Sequence, residues 1–175
     1  MRVIISDIDG TVLDVEPRLA AVLRELGVEP GGDTIRVSRT LPRKLRDRFY
    51  NLFLSDTYIN LDRPIAPAVD ELRSIHASTG LPIVYLSGRL TSMRKATRAA
   101  LEAIGLPFEE LILKPDSARM RGTAEWKVSA IREHGYDPEH IFDDDSDVLA
   151  ALRAAFPAAE LHDLSGPAKA VPGGG

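Results

Sequence analysis

Short apolar runs that alternate with longer amphipathic stretches limit most strongly how this 175-residue chain can fold. The run Val3-Ile4-Ile5 is too short for a helix and rich in β-branched residues, which favours a buried strand. Residues 19–26 then carry leucine and valine at helical spacing, and Gly27 follows. This alternation is typical of an α/β fold, a doubly wound, Rossmann-like parallel sheet with helices on both faces.

The same patterns predict the remaining elements. Further strands are predicted at Pro82–Leu86, Leu111–Leu113 and His140–Phe142, with an edge strand at Glu160–Leu164. Helices are predicted from Pro42 to Phe53, from Pro67 to about Gly80, and over Ser92–Ile104, Glu125–His134 and Val148–Phe156.

The length suits one domain with a single hydrophobic core, which we place at residues 1–164. A less regular section, at about residues 31–63, interrupts the alternation and predicts a small helical insert. Residues 165–175 are rich in proline, glycine and alanine, and we expect a flexible tail there.

Composition excludes several kinds of site. The chain has no cysteine, which excludes disulfides, thiolate zinc sites and cysteine nucleophiles. It has no apolar run near the roughly 18 residues that span a bilayer, and Asp7 interrupts any signal-peptide core. We therefore expect a soluble, cytoplasmic protein with no membrane partner, while the oligomeric state stays unknown.

Two clusters of aspartate each follow a predicted strand. Asp7-Ile8-Asp9-Gly10-Thr11 follows the first strand, and alternation projects Asp7 and Asp9 in the same general direction. Residues 143–147 hold four more aspartates directly after His140–Phe142. Because ligands bind where parallel strands end, both clusters are expected at one edge, where they would repel without a cation. Oxygen-only ligands favour Mg²⁺.

Each cluster also has a purely structural interpretation. Asp-Gly is a common turn dipeptide, which accounts for Asp9 and Gly10. Aspartate is favoured at helix N-termini, which accounts well for Asp145 and Asp147 but less well for the residues at the strand end itself.

Other polar residues near these strand ends suit a phosphate group. Ser87-Gly88-Arg89 offers a hydroxyl, a flexible glycine and a bidentate guanidinium, although a Ser-Gly turn explains it too. Lys127 precedes the acidic strand and Lys114 follows the third strand. Either lysine would neutralise carboxylates and steady a phosphoryl group, whereas most lysines are merely solvated.

The order of these motifs resembles the haloacid dehalogenase-like (HAD) hydrolase superfamily over Arg2 to about Leu164. Its Asp-x-Asp-Gly-Thr motif matches residues 7–11, its serine or threonine matches Ser87, and its acidic pair matches residues 143–144. Residues 87–89, 125–127 and 142–144 are similar to the phosphatase domain of polynucleotide kinase/phosphatase proteins. The phosphate-binding loop of the kinase domain in those proteins does not occur in this chain.

The resemblance implies a phosphomonoester hydrolase. Asp7 would be the nucleophile that forms an aspartyl-phosphate, and Asp9 would be general acid and then general base. The implied cofactor is Mg²⁺, held by Asp7, the backbone carbonyl of Asp9, Asp144 and next Asp143, or by Asp145 or Asp147 in an alternative register. The implied phosphate-binding residues are Thr11, Ser87, Gly88, Arg89 and Lys127, with Lys114 as the alternative lysine.

The insert occupies the place where HAD proteins carry a cap, and its roughly 35 residues make only a small lid. A small lid leaves the site open to large substrates. The lid has one acidic residue between Arg36 and Arg48, Asp47, against six basic residues: Arg36, Arg39, Arg43, Lys44, Arg46 and Arg48. A nucleic-acid 3′-phosphate or a nucleotide is therefore the leading substrate, with stacking from Tyr50, Phe53 or Tyr58, unless this helix face is simply solvated.

The net charge of −4 does not oppose such a substrate. Six of the 26 acidic residues lie in the two aspartate clusters, so the other 20 are outnumbered by the 22 lysines and arginines. The alternatives are a phosphatase for a small metabolite such as a sugar phosphate, a phospho-accepting receiver-like module, and an inert nucleic-acid-binding module. The receiver pattern fits less well, because its phospho-accepting aspartate ends the third strand rather than the first.

Overall fold

A computed structural model describes residues 1–31 and 34–165 of the chain. The expected flexible tail lies outside this range except for Ser165, and the side chain of Arg36 is likewise outside the described set.

The strands and helices follow the predicted alternation. The strands are β1 (Arg2–Ser6), β2 (Leu13–Asp14), β3 (Arg63–Pro64), β4 (Ile83–Leu90), β5 (Glu110–Lys114), β6 (Asp137–Asp143) and β7 (Glu160–Asp163). The helices are α1 (Glu16–Glu25), α2 (Thr34–Thr40), α3 (Arg43–Phe53), α4 (Ala66–Thr79), α5 (Arg94–Ile104), α6 (Thr123–Glu133) and α7 (Ser146–Ala155). Short 3₁₀ helices lie at Ile59–Leu61, Thr91–Met93 and Asp116–Ala118. Within the described ranges, no helix has the length and apolar character needed to cross a membrane.

Five parallel strands form the central sheet in the order β5-β4-β1-β6-β7. Consecutive residues of β1 pack in different cores. Ile4 packs with α4 and α5 on one face of the sheet, and Ile5 packs with α6 and α7 on the other. Helices on both faces explain the continuous apolar runs Val3–Ile5 in β1 and Ile83–Leu86 in β4. The predicted doubly wound α/β fold is confirmed.

The lid leaves the central domain and returns to it at neighbouring points. Leu13 and Asp14 of β2 pair antiparallel with Pro64 and Arg63 of β3, so residues 15–62 are closed off by this short ladder. Helices α1, α2 and α3 share a separate hydrophobic core around Val22, Leu23 and Phe49. The sequence placed the start of the lid at about residue 31, but α1 packs with the lid helices. The assignment of residues 1–164 to one phosphatase domain stays a prediction.

Candidate active site

The loop after β1 is shaped by one glycine. The carbonyl of buried Ile8 accepts hydrogen bonds from the amides of Val12 (3.0 Å) and Leu13 (2.9 Å), which curls the chain back on itself. Gly10 has φ +79°, a conformation that favours glycine. A Cβ there would also lie 2.2 Å from Oδ2 of Asp144. Gly10 therefore lets the two aspartate clusters approach each other.

Three carboxylates and one lysine meet at the carboxyl edge of the sheet. Lys127 Nζ lies 2.9 Å from Oδ1 of Asp7 and 2.6 Å from Oδ2 of Asp143, and its side chain is buried. Carboxylate oxygens of Asp7, Asp143 and Asp144 lie within 4.8 Å of one another. We call Asp7, Asp143, Asp144 and Lys127 the carboxylate cluster. Helix α6 brings Lys127 to this edge.

The carboxylate cluster is electrostatically unbalanced. Burial raises the pKa of Asp7, Lys127 lowers it, and Asp143, Asp9 and Asp144 raise it further, so that it reaches about 8. Burial disfavours the charged form of Lys127, but Asp7 and Asp143 outweigh burial and raise the pKa of that ammonium group. One lysine thus does not balance three carboxylates. An all-oxygen donor set with excess negative charge fits a hard divalent cation such as Mg²⁺.

The stability of the metal-free protein is expected to fall as pH rises from about 5 to about 8. Asp7 has an ordinary pKa of 3.8 in the unfolded chain and about 8 in the folded chain. Between these values the unfolded chain has released the proton that the folded chain still holds, so rising pH favours unfolding. Thermal denaturation with a chelator at both ends of this range measures the slope. Asp7→Asn is expected to flatten it, and an equally steep slope in that variant would contradict the prediction.

Asp9 contacts two buried arginines. Its Oδ1 accepts hydrogen bonds from Arg89 Nε at 2.8 Å, Arg89 Nη2 at 2.5 Å and Arg18 Nη2 at 3.2 Å. Asp62 completes the group, with Oδ2 at 2.5 Å from Arg89 Nη2 and Oδ1 at 3.0 Å from Arg18 Nε. We call Asp9, Arg18, Asp62 and Arg89 the arginine–aspartate network. It joins the central domain to the lid, because Arg18 lies in α1 and Asp62 directly precedes β3.

The arginine–aspartate network fixes the charge of Asp9. Burial alone would raise its pKa, but Arg89 and then Arg18 outweigh burial and leave the pKa below its ordinary value. Asp9 is therefore a carboxylate in this arrangement, although a general acid must hold a proton.

The network also changes the interpretation of Arg89. The sequence suggested that Arg89 grips a substrate phosphate. Its guanidinium is instead fully buried, and it donates to Asp9, Asp62 and the hydroxyl of Thr97. In these contacts Arg89 orients the carboxylate of Asp9, and no donor of its guanidinium is directed at a substrate.

The other predicted site residues lie near the same edge in different settings. Ser87 is buried in β4, and its hydroxyl accepts a hydrogen bond from the Arg89 amide at 3.2 Å. Thr11 is buried, and its hydroxyl has no hydrogen-bond partner within residues 1–31 and 34–165. The side chain of Asp145 caps α7 by accepting from the amides of Asp147 and Val148. Lys114 donates to the carbonyl of Arg121 and lies apart from the carboxylate cluster.

Sequence reasoning missed Arg18 and Asp62. Arg18 lies four residues before Val22, so it shares the apolar side of α1, and its guanidinium packs 4.3 Å from the centre of the Phe53 ring. A charged residue on an apolar helix face is the signal that would have singled it out, since such groups are rarely buried without a partner. Asp62 gives no comparable signal, because its partners are distant in the sequence.

Two cavities lie between the lid and the central domain. The first, about 450 Å³, reaches the aspartates of the site and has a mostly acidic polar lining: Asp9, Asp14, Glu16 and Asp144, with Arg39. The second, about 740 Å³, has a basic lining: Arg43, Arg46, Lys114, Arg119 and Arg121 beside Asp47. We call them the acidic cavity and the basic cavity. Tyr50 and Phe53 line both, and Gly88 of the predicted phosphate motif lines the basic one.

Comparisons with known proteins identify the fold. No family model matches the sequence, and no curated protein matches it either. The structure of the Pnkp1/Rnl/Hen1 RNA repair complex aligns with 93% of this chain at 20% identity and a TM-score of 0.63, but this chain spans only 42% of that one. A beta-phosphoglucomutase structure from Thermotoga maritima aligns at 14% identity over 89% of this chain and 82% of that chain, with a TM-score of 0.54.

A HAD-superfamily hydrolase of subfamily IA from Geobacter sulfurreducens PCA also aligns, at 14% identity over 92% of this chain and 85% of that chain, with a TM-score of 0.54. At these identities the likenesses establish the fold alone. The chain has the HAD-like fold, as its motifs predicted.

Proposed function

We propose that this chain, with its HAD-like fold, is a magnesium-dependent phosphomonoester hydrolase that works through an aspartyl-phosphate on Asp7. The observation that carries the proposal is the carboxylate cluster, in which Lys127 contacts Asp7 and Asp143 at the carboxyl edge of the sheet. Ligands bind at this edge in open α/β sheets. The names of two structural neighbours, a phosphoglucomutase and a HAD-superfamily hydrolase, agree with phosphoryl chemistry.

The residues that would hold magnesium are Asp7, Asp144 and the backbone carbonyl of Asp9, with Asp143 nearby. Bound there, the ion supplies positive charge that keeps Asp7 ionised and neutralises phosphate oxygens. Lys127 adds a buried positive charge, with its Nζ 2.9 Å from Oδ1 of Asp7. In this arrangement Asp143 orients Lys127, since its Oδ2 accepts from Nζ and its Oδ1 accepts from the amide of Asp145 at 3.0 Å.

The reaction divides into two displacements at phosphorus. An oxygen of Asp7 attacks phosphorus, the bond to the ester oxygen breaks, and the departing alkoxide takes a proton from Asp9. Asp9 then removes a proton from water, the water oxygen attacks phosphorus, and the bond to Asp7 breaks. The products are an alcohol and inorganic phosphate, and both aspartates return to their starting states.

The first proton transfer requires a change at Asp9. Arg89 and Arg18 stabilise its carboxylate, which suits the base that activates water but not the acid that protonates a leaving group. Arg18 belongs to α1, so the lid supplies one of the two guanidinium groups that hold Asp9 in its charged form.

The basic cavity supports a nucleic-acid 3′-phosphate as the substrate. Its cations come from both walls, Arg43 and Arg46 from α3 and Arg119 and Arg121 from the loop after β5. Tyr50 is exposed between the two cavities and suits stacking on a base. One structural neighbour belongs to an RNA repair complex, which agrees with this substrate class.

Arg46→Glu is expected to lower kcat/KM for a 3′-phosphorylated oligonucleotide at least tenfold while leaving a 3′-mononucleotide nearly unchanged. Phosphate contacts beyond the reacting group exist only in the longer substrate, and each lost contact also reduces the salt dependence. Steady-state phosphate release at two salt concentrations measures both effects. Arg153→Glu on α7, an exposed position that lines neither cavity, is the matched control. An equal loss for both substrates would contradict this assignment.

A small phosphorylated metabolite is the second candidate. The acidic cavity reaches Asp9 and Asp144 and, at about 450 Å³, has the volume of a small-molecule site. A substrate panel of oligonucleotides, mononucleotides and sugar phosphates separates the candidates. Higher kcat/KM for a sugar phosphate than for any oligonucleotide would favour the metabolite.

A further inference from the structure

Two histidines and two glutamates meet near the edge of the sheet, where β6 pairs with β7. His140 lies on β6, Glu160 and His162 lie on the edge strand β7, and Glu71 lies on α4. The parallel register aligns His140 with Glu160 and Phe142 with His162. The proposed phosphatase chemistry uses none of these four residues.

The ring of His162 is held in one orientation. It stacks on Phe142 with ring centres 4.1 Å apart and planes 5° from parallel. Its Nδ1 lies 2.9 Å from Oε1 of Glu71. An ionised carboxylate only accepts hydrogen bonds, so Nδ1 carries the proton and the lone pair on Nε2 points toward His140. Carboxylates orient metal-binding histidines in this same way.

Three potential ligand atoms converge beside this ring. Nε2 of His162 lies 3.2 Å from Nδ1 of His140, which lies 3.5 Å from Oε2 of Glu160, and each of the three residues offers a ligand atom within 4.8 Å of the other two. Ligands of a tetrahedral zinc ion, with bonds of about 2.0–2.1 Å, are about 3.3 Å apart. The two measured separations, 3.2 and 3.5 Å, are close to this ligand spacing.

We propose that His140, Glu160 and His162 form a binding site for a divalent transition metal of the Zn²⁺ type, with Glu71 orienting His162. Two imidazoles select zinc over magnesium, which distinguishes this site from the all-oxygen carboxylate cluster. Binding requires the neutral tautomer of His140 in which Nε2 carries the proton and Nδ1 has a free lone pair. Glu160 is exposed, so water can supply the fourth ligand.

A metal ion bound here would cross-link two strands and a helix. The ion joins the edge strand β7 to β6, and Glu71 extends that connection to α4. Besides its register with β6 and the packing of Leu161 and Leu164 on the two cores, this edge has a hydrogen bond from the amide of Leu164 to the carbonyl of Asp143 at 3.0 Å. Zinc is therefore expected to raise the thermal stability of the full chain, independently of the proposed phosphatase function.

Zinc titration of the metal-free full chain by calorimetry, in excess Mg²⁺, tests the site. The expected result is that His162→Gln and His140→Ala each bind one zinc ion fewer than the unsubstituted chain. Any zinc held by the carboxylate cluster is the same in the variants and the unsubstituted chain, so it does not affect the difference in stoichiometry between them. His134→Ala is the control, because His134 is partly exposed and stacks on Tyr136 outside this cluster. Equal zinc stoichiometry in all four proteins would overturn the proposal.

Two glutamate variants keep the test decisive if a histidine variant does not fold. Glu160→Gln changes an exposed side chain, and Glu71→Gln changes only the group that orients His162. Loss of such an orienting partner weakens metal affinity about 10–100-fold. Each variant is expected to bind zinc at least tenfold more weakly and to lose the zinc-dependent rise in melting temperature. Unchanged affinity in both would show that zinc does not use this cluster.

Discussion

Asp7→Asn is expected to reduce phosphate release by more than about 10³-fold, because the amide of asparagine does not replace a carboxylate nucleophile. The substitution keeps the shape of the side chain, so the fold is expected to persist. Acid quenching during turnover should trap a phosphorylated protein with the native chain and none with the variant. Mass spectrometry of the quenched protein measures the difference.

Stability measurements separate a missing nucleophile from a damaged fold. The metal-free Asp7→Asn variant is expected to melt above the native chain at neutral pH, since burial and three neighbouring carboxylates disfavour the Asp7 charge. Asp70→Asn, on the exposed side of α4, is the matched control and should keep full activity. Native turnover by Asp7→Asn would refute the assignment of Asp7 as nucleophile.

Asp9→Asn is expected to slow hydrolysis of an alkyl phosphate about 10²–10⁴-fold, the usual contribution of general acid–base catalysis. An alkoxide leaves only with a proton, and Asp9 is the group assigned to give it. Para-nitrophenyl phosphate behaves differently, because its phenolate leaves without a proton. The variant should release one equivalent of nitrophenol per chain in a rapid burst and then stall, since water attack still lacks its base.

The ratio between the two substrates is the informative quantity. Partial unfolding, which is a concern because Asp9 balances Arg18 and Arg89, would lower both rates equally and leave the ratio unchanged. A rapid-mixing experiment with the native chain alongside gives burst and steady-state rates together. Hydrolysis of the alkyl phosphate by the variant at the native rate would show that Asp9 does not transfer the proton.

The sequence predicted what depends on local pattern. Strand and helix alternation fixes which residues end strands, so the sequence places Asp7 and Asp143 at one edge of the sheet. The position of Lys127 in the helix that leads into the acidic strand favours it over Lys114. Lys127 contacts Asp7 and Asp143, and its role at a phosphate stays a prediction.

The remaining features depend on contacts between distant residues. The buried guanidinium of Arg89 takes one partner 80 residues away, Asp9, and another 27 residues away, Asp62. A motif of three residues does not reveal that such partners exist, so Arg89 resembled a phosphate ligand. In the same way, the helical pattern of α1 predicts a helix but not that its apolar face packs with α2 and α3.

The short ladder between β2 and β3 makes the core tolerant of changes in the length of the lid. Because its two ends leave the sheet side by side, the length between them has little effect on the core. Each doubling of such an inserted segment costs only about 0.6 kcal/mol in closure entropy. Changes in the length of this segment are therefore expected to cost the central core little, so the lid can vary while the carboxylate cluster stays in place. The exception is the pair Arg18 and Asp62, which any exchanged lid must supply again to keep Asp9 in place.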